Sequence, residues 1–209
     1  MPTSFAANSA VPARARLALP RRASRKPLRK SAFFAAAFLA AAFVALAACH
    51  GAATASGPAM QLTSASFSNG QIPPAFTCDG QNRSPQLAWS KPPYGTRFLA
   101  LTLVDPDAPF GTFTHWVLFN LPATTRGLPA GLETSSQLPG GALQGENSFH
   151  RTGYGGPCPP PGSTHRYIFT LYALDTPLAL APGASRAQLE AALAGHILAH
   201  AQLTARYGR

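Results

Sequence analysis

The chain has 209 residues, of which 46% are hydrophobic and 11% charged, with 21 Pro and 18 Gly. This length suits one compact domain with appendages, and the composition excludes a chain that is disordered throughout or a long helical bundle. The formal charge of +10 suggests a nucleic-acid partner, but eight of the 17 Lys and Arg and none of the 7 acidic residues lie within residues 1–49. Nine basic and seven acidic residues remain beyond that segment, so we expect no nucleic-acid partner.

Residues 1–49 have the pattern of a secretory signal peptide. A basic stretch, Arg14–Lys30, is followed by the apolar run Ala32–Leu46 and then by small residues. As a helix this run would measure about 22 Å, less than the ~30 Å hydrocarbon core of a membrane. We therefore predict that the segment is removed during export. A signal anchor that stays in the membrane is the alternative.

The end of the apolar run, Leu46–Cys49, resembles the lipobox of bacterial lipoproteins, whose Cys becomes the lipid-bearing first residue of the mature chain. This predicts lipidation of Cys49, a membrane partner reached through that lipid, and a location in the cell envelope or periplasm. Ordinary cleavage after Ala53 or Ala55 is the alternative. Residues 50–60 are small and suit a flexible tether, so we expect the folded domain at 61–209.

Three apolar segments bounded by Pro and Gly predict β-strands: Arg97–Val104, Thr114–Leu121 and Arg166–Leu174. No regular alternation of strands and helices is visible in the sequence. This favours an antiparallel sheet over a doubly wound α/β fold.

One helix is predicted at Arg186–Ala201, beginning with a capping box of Ser185 and Gln188. Three apolar residues repeat at helical spacing: Leu189, Leu193 and Ile197. His196 and His200 would lie one turn apart on this helix, a spacing that can bind a metal ion. The sequence offers no third ligand, so we expect surface histidines and no metal site.

Three polar residues stand at the ends of the predicted strands. Asp105 follows the first strand, His115 opens the second and His165 precedes the third. Because the ends of neighbouring strands meet at one edge of a sheet, a carboxylate and two imidazoles can share a pocket there. Asp105 would then fix the tautomer of a histidine and leave the second ring nitrogen as a donor to an anion such as phosphate. Alternatively, Asp105 only starts a turn and His115 only packs beside Trp116.

Cys78 and Cys158 remain as an even pair once Cys49 is assigned to a lipid. An exported chain folds in an oxidising compartment, where such a pair can form a disulfide. Two buried free thiols are the alternative. Neither Cys has the CxxC spacing of zinc or redox sites, and we expect neither a metal nor a cofactor.

Five ordered blocks resemble segments of the phosphatidylethanolamine-binding protein family, specifically its bacterial, Raf-kinase-inhibitor-like branch. They are Ser84–Trp89, Asp105–Pro109, His115–Pro122, Gly153–Cys158 and Gly162–Tyr167. The resemblance extends from about Gln61 to the C-terminus. It implies a mostly β fold, a sandwich of two antiparallel sheets with few short helices and one C-terminal helix.

The same resemblance implies a cavity that binds small anions such as the phosphate of phosphatidylethanolamine-type head groups. Matched residue by residue, it assigns ligand binding to Asp105, His115, His165, Tyr167 and Pro160. It also places Cys78 and Cys158 toward the cavity, which favours their disulfide, and it implies that the peptide bond before Pro106 or Pro109 can be cis.

These features predict a non-catalytic binding module rather than an enzyme. One alternative is a weak hydrolase of phosphoesters or other esters, in which the same Asp and His residues act as general base. Another is an inhibitor of a protease or kinase that presents the loop Pro159–Pro161 to its partner.

Overall fold

The computed structural model describes residues 59–209, and within this range it contains eight strands, one α-helix and one short 3-10 helix. The strands are β1 (Leu62–Thr63), β2 (Leu87–Trp89), β3 (Phe98–Asp105), β4 (Phe113–Pro122), β5 (Gly127–Leu128), β6 (Leu143–Gln144), β7 (Thr164–Leu174) and β8 (Ile197–Gly208). Helix α1 spans Arg186–Leu193, and the 3-10 helix spans Pro74–Phe76. Within residues 59–209, no helix is long and apolar enough to cross a membrane.

Two antiparallel sheets form a β-sandwich, as predicted. The small sheet has the order β1-β2-β5 and the large sheet the order β6-β4-β3-β7-β8. The three predicted strands correspond to β3, β4 and β7, with each end within two residues of its predicted position.

The main core lies between the two sheets, where Leu87 and Trp89 of the small sheet pack with Leu101, Trp116 and Phe169 of the large one. Alternate residues of the same central strands face the other way and form a second core with α1. Both faces of β3 and β4 are therefore buried, which is why these strands are almost continuously apolar in the sequence.

The predicted helix Arg186–Ala201 is wrong in its second half. The capping box of Ser185 and Gln188 is present, but the helix ends at Leu193 and Gly195 has a φ of +81°. The chain then continues as β8, so His196 and His200 do not share a helix face.

Pairing with β7 explains why the end of the chain is extended. β8 pairs with β7 along the length of both strands, with one register shift between Ala173 and Leu174, so the edge of β7 satisfies the backbone hydrogen-bonding groups of an extended chain. This tertiary pairing overrides the helix preference of the Ala and Leu residues in the segment.

Met60 is already buried in the main core, one residue before the predicted start of the domain. The predicted signal peptide, Cys49 and residues 50–58 of the predicted tether lie outside the described residues. Export, lipidation and membrane attachment therefore remain predictions.

Candidate functional site

Three strand ends meet at one edge of the large sheet. β3 ends at Asp105, which is paired with Phe113 at the beginning of β4, and β7 begins at Thr164 beside the end of β3. A cavity of about 440 Å³ opens at this edge, and its lining includes Asp105, His115, Pro160 and His165.

Asp105 and His165 form a buried pair. The Oδ2 atom of Asp105 accepts a hydrogen bond from Nδ1 of His165 at 2.7 Å, and its Oδ1 atom accepts one from the backbone N–H of Asp107 at 2.8 Å. The second ring nitrogen of His165, Nε2, finds no hydrogen-bond partner among residues 59–209. In a neutral ring with its proton on Nδ1, Nε2 accepts hydrogen bonds. It donates to an anion only when the ring is protonated, and Asp105 then supplies the counter-charge.

His115 reaches the cavity through a β-bulge. In the β3–β4 register Leu103 faces Trp116 and Val104 faces Thr114, so His115 is the extra residue of β4. A bulge redirects the side chain of the inserted residue. Here the imidazole packs against Tyr167 of β7, with 5.3 Å between ring centroids.

Gly155 fixes the tautomer of His115. The Nδ1 atom of His115 lies 2.7 Å from the carbonyl oxygen of Gly155, and the Gly155 N–H donates to the His115 carbonyl at 2.9 Å. A carbonyl oxygen only accepts, so Nδ1 carries the proton. Burial lowers the pKa of His115 from its ordinary 6.5, while the Gly155 carbonyl, the charge of Asp105 and the Gly156 backbone oppose this shift. The ring is therefore neutral at pH 7, with Nε2 as an acceptor.

The glycines of the segment Gly153–Cys158 allow the close approach that this anchor needs. A Cβ on Gly155 would lie 2.6 Å from Cδ2 of Phe149, and one on Gly156 would lie 2.5 Å from Oδ1 of Asn82. Neither position has space for a side chain. The segment therefore holds His115 through Gly155 and continues into the cavity wall at Cys158. The sequence alone did not reveal that this segment positions His115.

Tyr167 lies beneath His115 and is fully buried. Its hydroxyl has no hydrogen-bond partner in the part of the chain that the structure describes. Burial raises the pKa of this phenol, and the negative charge of Asp105 acts in the same direction. Of the five residues assigned by resemblance, Tyr167 is thus the one placed behind the cavity rather than in its lining.

The predicted disulfide between Cys78 and Cys158 is present, with a Cα–Cα distance of 5.4 Å. Cys158, Pro159 and Pro160 all contribute to the cavity lining, so the disulfide ties this wall to the segment after the 3-10 helix. Every peptide bond in the described chain is trans, including those before Pro106 and Pro109, which corrects the expectation of a cis bond there.

An ion pair closes the rim of the cavity beside Asp105. The Asp107 carboxylate receives hydrogen bonds from Nη2 of Arg166 at 2.6 Å and from Nε of Arg166 at 2.9 Å. Arg166 holds the pKa of Asp107 well below its usual value. Both side chains are partly exposed, so the pair orders the rim more than it stabilises the fold.

The fold and the site define a small β-sandwich protein with a histidine–carboxylate cavity at one sheet edge. The family model described as "Phosphatidylethanolamine-binding protein" matches residues 63–208. A "UPF0098 protein" of Methanothermobacter thermautotrophicus is 47% identical over 151 residues, which cover 72% of this chain and 99% of that protein. Another, from Aquifex aeolicus, is 47% identical over 161 residues, covering 75% of this chain and 92% of that protein.

Solved structures give the same result. YbcL of Escherichia coli, described as a new member of the mammalian PEBP family, has a TM-score of 0.67 and 36% identity, covering 72% of this chain and 98% of its own. A phosphatidylethanolamine-binding protein homologue of Chlamydia trachomatis has a TM-score of 0.66 and 39% identity, covering 73% and 99%. The chain belongs to the phosphatidylethanolamine-binding protein family, and this membership supports a binding-type function.

Proposed function

We propose that the protein is a non-catalytic binding module whose cavity takes a phosphate-type anion, such as the phosphate of phosphoethanolamine. The observation that carries this proposal is the meeting of Asp105, His115 and His165 in one cavity, with Nδ1 of each imidazole already bonded to the protein. The Nε2 atom of each ring is left for a guest. Protonated His165 would donate to an anionic oxygen, a charge-assisted hydrogen bond.

The surroundings of the two imidazoles support binding rather than covalent catalysis. Cys158 lies in the cavity lining, but its sulfur is committed to the disulfide. The hydroxyl of Ser148, also in the lining, accepts a hydrogen bond from the Thr114 N–H at 2.9 Å and has no Asp or His partner among the described residues. A hydroxyl or thiol activated by an adjacent base would be needed for covalent catalysis.

Isothermal titration with phosphoethanolamine tests the proposal. We expect the double variant His115→Ala, His165→Ala to lose at least about tenfold in affinity, because two hydrogen bonds to the guest disappear. The matched control is His196→Ala, since His196 is an exposed histidine that pairs with Asp175 away from the cavity. Equal affinity of the double variant and the protein would contradict the proposal. Release of inorganic phosphate during the titration would instead favour the hydrolase alternative.

We also propose that a lipid on Cys49 tethers this module to a membrane of the cell envelope. Support comes from the basic and apolar segments that precede Leu46–Cys49 in the sequence.

A further inference from the structure

We propose that the cavity selects a guest that brings its own hydrogen-bond donor, and that among phosphate ligands it takes the singly protonated monoester in preference to a diester. This inference rests on the proposed function and deepens it by naming the chemical form of the guest. The residue that sets this preference is His115.

His115 has one ring nitrogen bonded to the protein and one that faces the guest. Its Nδ1 atom must carry a proton because it faces the carbonyl oxygen of Gly155 at 2.7 Å. A neutral imidazole has one N–H, so Nε2 presents only a lone pair. No side chain or backbone group of residues 59–209 donates to that atom. A guest that lacks a donor would leave a desolvated acceptor unsatisfied, at a cost of roughly 1–3 kcal/mol.

The charged groups in and around the cavity balance one another. Within the described residues, the lining contains neither Lys nor Arg, and its one carboxylate is that of Asp105. A protonated His165 is balanced by Asp105, and at the rim Arg166 is balanced by Asp107. The cavity therefore has no net positive charge with which to compensate a dianion. A monoanion suits it better.

The proton shared between His115 and the guest can lie on either of them. The titratable groups around His115 are Asp105 on β3 and His165 and Tyr167 on β7, while Phe149 and Gly155 pack against it from the loop before β7. A proton on Nε2 of His115 would place a second cation beside protonated His165. The single negative charge of Asp105, already paired with His165, does not compensate two cations. The proton is therefore better held by the guest.

A monoester in the form ROPO₃H⁻ satisfies both imidazoles with one group. Its P–OH donates to Nε2 of His115, and one of its anionic oxygens accepts from protonated Nε2 of His165. A phosphodiester or a sulfate monoester carries the same single charge but has no O–H to donate. Phosphate monoesters lose their second proton with a pKa of about 6, so the favoured form becomes scarcer as pH rises above that value.

The experiment is a set of isothermal titrations of the protein with ethyl phosphate, diethyl phosphate and ethyl sulfate between pH 5.5 and pH 8. We expect ethyl phosphate to bind at least about tenfold more tightly than the other two at pH 6, and to weaken as pH rises. Affinities of ethyl phosphate and diethyl phosphate within twofold of each other would overturn the inference. Ethyl sulfate that binds as tightly as ethyl phosphate would also overturn it, because a guest without an O–H would then satisfy the cavity equally well.

Two further titrations, one with a variant of His115 and one with a diester that carries an ammonium group, test the same preference. In His115→Gln the amide can both donate and accept, so the preference for ethyl phosphate over diethyl phosphate should shrink toward one. Glycerophosphoethanolamine, a diester with an ammonium group, should bind as weakly as diethyl phosphate, and equal binding to ethyl phosphate would contradict the choice of a monoester. If none of these compounds binds, the proposed function itself fails, which is a result distinct from equal binding of monoester and diester.

Discussion

Asp105 and His165 are separated by 60 residues in the sequence, yet Oδ2 of the first lies 2.7 Å from Nδ1 of the second in a buried pair. The antiparallel pairing of β3 with β7 brings them together, because the end of one strand lies beside the beginning of the other. The carboxylate orients the ring and compensates its charge when it is protonated. The pairing of β3 with β7 thus determines which group orients the His165 ring in the cavity.

Replacing the carboxylate of this pair should weaken anion binding. In Asp105→Asn the shape is preserved, but the counter-charge that supports a protonated His165 is lost. We expect the affinity for phosphoethanolamine to fall roughly 10- to 100-fold, as for a hydrogen bond to a charged group. Asp107→Asn makes the same change two residues away in the exposed pair with Arg166, and it should alter the affinity less than about fivefold. Calorimetric titration of both variants checks this, and equal losses would be inconsistent with a special role of Asp105.

Removing the disulfide should affect both stability and binding. The double variant Cys78→Ser, Cys158→Ser removes a cross-link between residues 80 positions apart. Because the unfolded chain is then less restricted, we expect the free energy of unfolding to fall by about 4 kcal/mol. The affinity for phosphoethanolamine should fall as well, since Cys158, Pro159 and Pro160 form part of the cavity wall. Urea denaturation measures the first effect and calorimetry the second. An unchanged denaturation midpoint would show that the cross-link does not constrain the unfolded chain.

The lowered pKa of His115 predicts a pH dependence of stability. Well above pH 6.5 the ring is neutral in both the folded and the unfolded chain, so it contributes nothing to the slope. As pH falls below 6.5, the unfolded chain takes up a proton that the folded chain resists, and the free energy of unfolding decreases until the lower folded pKa is passed. His115→Gln removes this titration. Denaturation curves between pH 7.5 and pH 5 should therefore be steeper in their pH dependence for the protein than for the variant, and identical slopes would refute the buried neutral ring.

The predicted lipoprotein processing has a direct chemical signature. Mass spectrometry of the mature protein should identify an N-terminal Cys49 carrying a diacylglyceryl group. In Cys49→Ser this species should disappear. A mature chain that begins after Ala53 or Ala55 would establish ordinary cleavage, and an intact N-terminus would establish a retained anchor.

Much of the fold could be predicted because the central strands are buried and therefore consist mainly of apolar residues. β3, β4 and β7 are rich in Leu, Val, Ile and aromatic residues, which indicate buried strands. β8 lacks such a signal. Its inward positions alternate with outward ones, but three of the five are alanines: Ala199, Ala201, Leu203, Ala205 and Tyr207. Small residues give a weak alternation, and the pairing with β7 that decides the conformation is not local to the sequence.

The candidate site was only partly visible in the sequence for a similar reason. The placement of Asp105 and His165 at strand ends correctly indicated that they lie at one edge of a sheet. The bulge at His115 depends on how β3 and β4 pair, so no local pattern reveals it. The tautomer of His115 depends on Gly155, 40 residues away, whose carbonyl is brought close by a segment with no regular secondary structure. Nothing in the sequence indicates the identity of that hydrogen-bond partner.

In the proposed complex, one anion meets both imidazoles at their Nε2 atoms. Heteronuclear NMR of protein with ¹⁵N-labelled histidine rings, recorded while phosphoethanolamine is added, detects this contact at each ring nitrogen. We predict saturable shifts of Nε2 in His115 and His165, with His150, His196 and His200 unchanged as internal controls. Saturable binding that leaves the ring nitrogens of His115 and His165 unperturbed would contradict the account, because the anion would then occupy another part of the molecule.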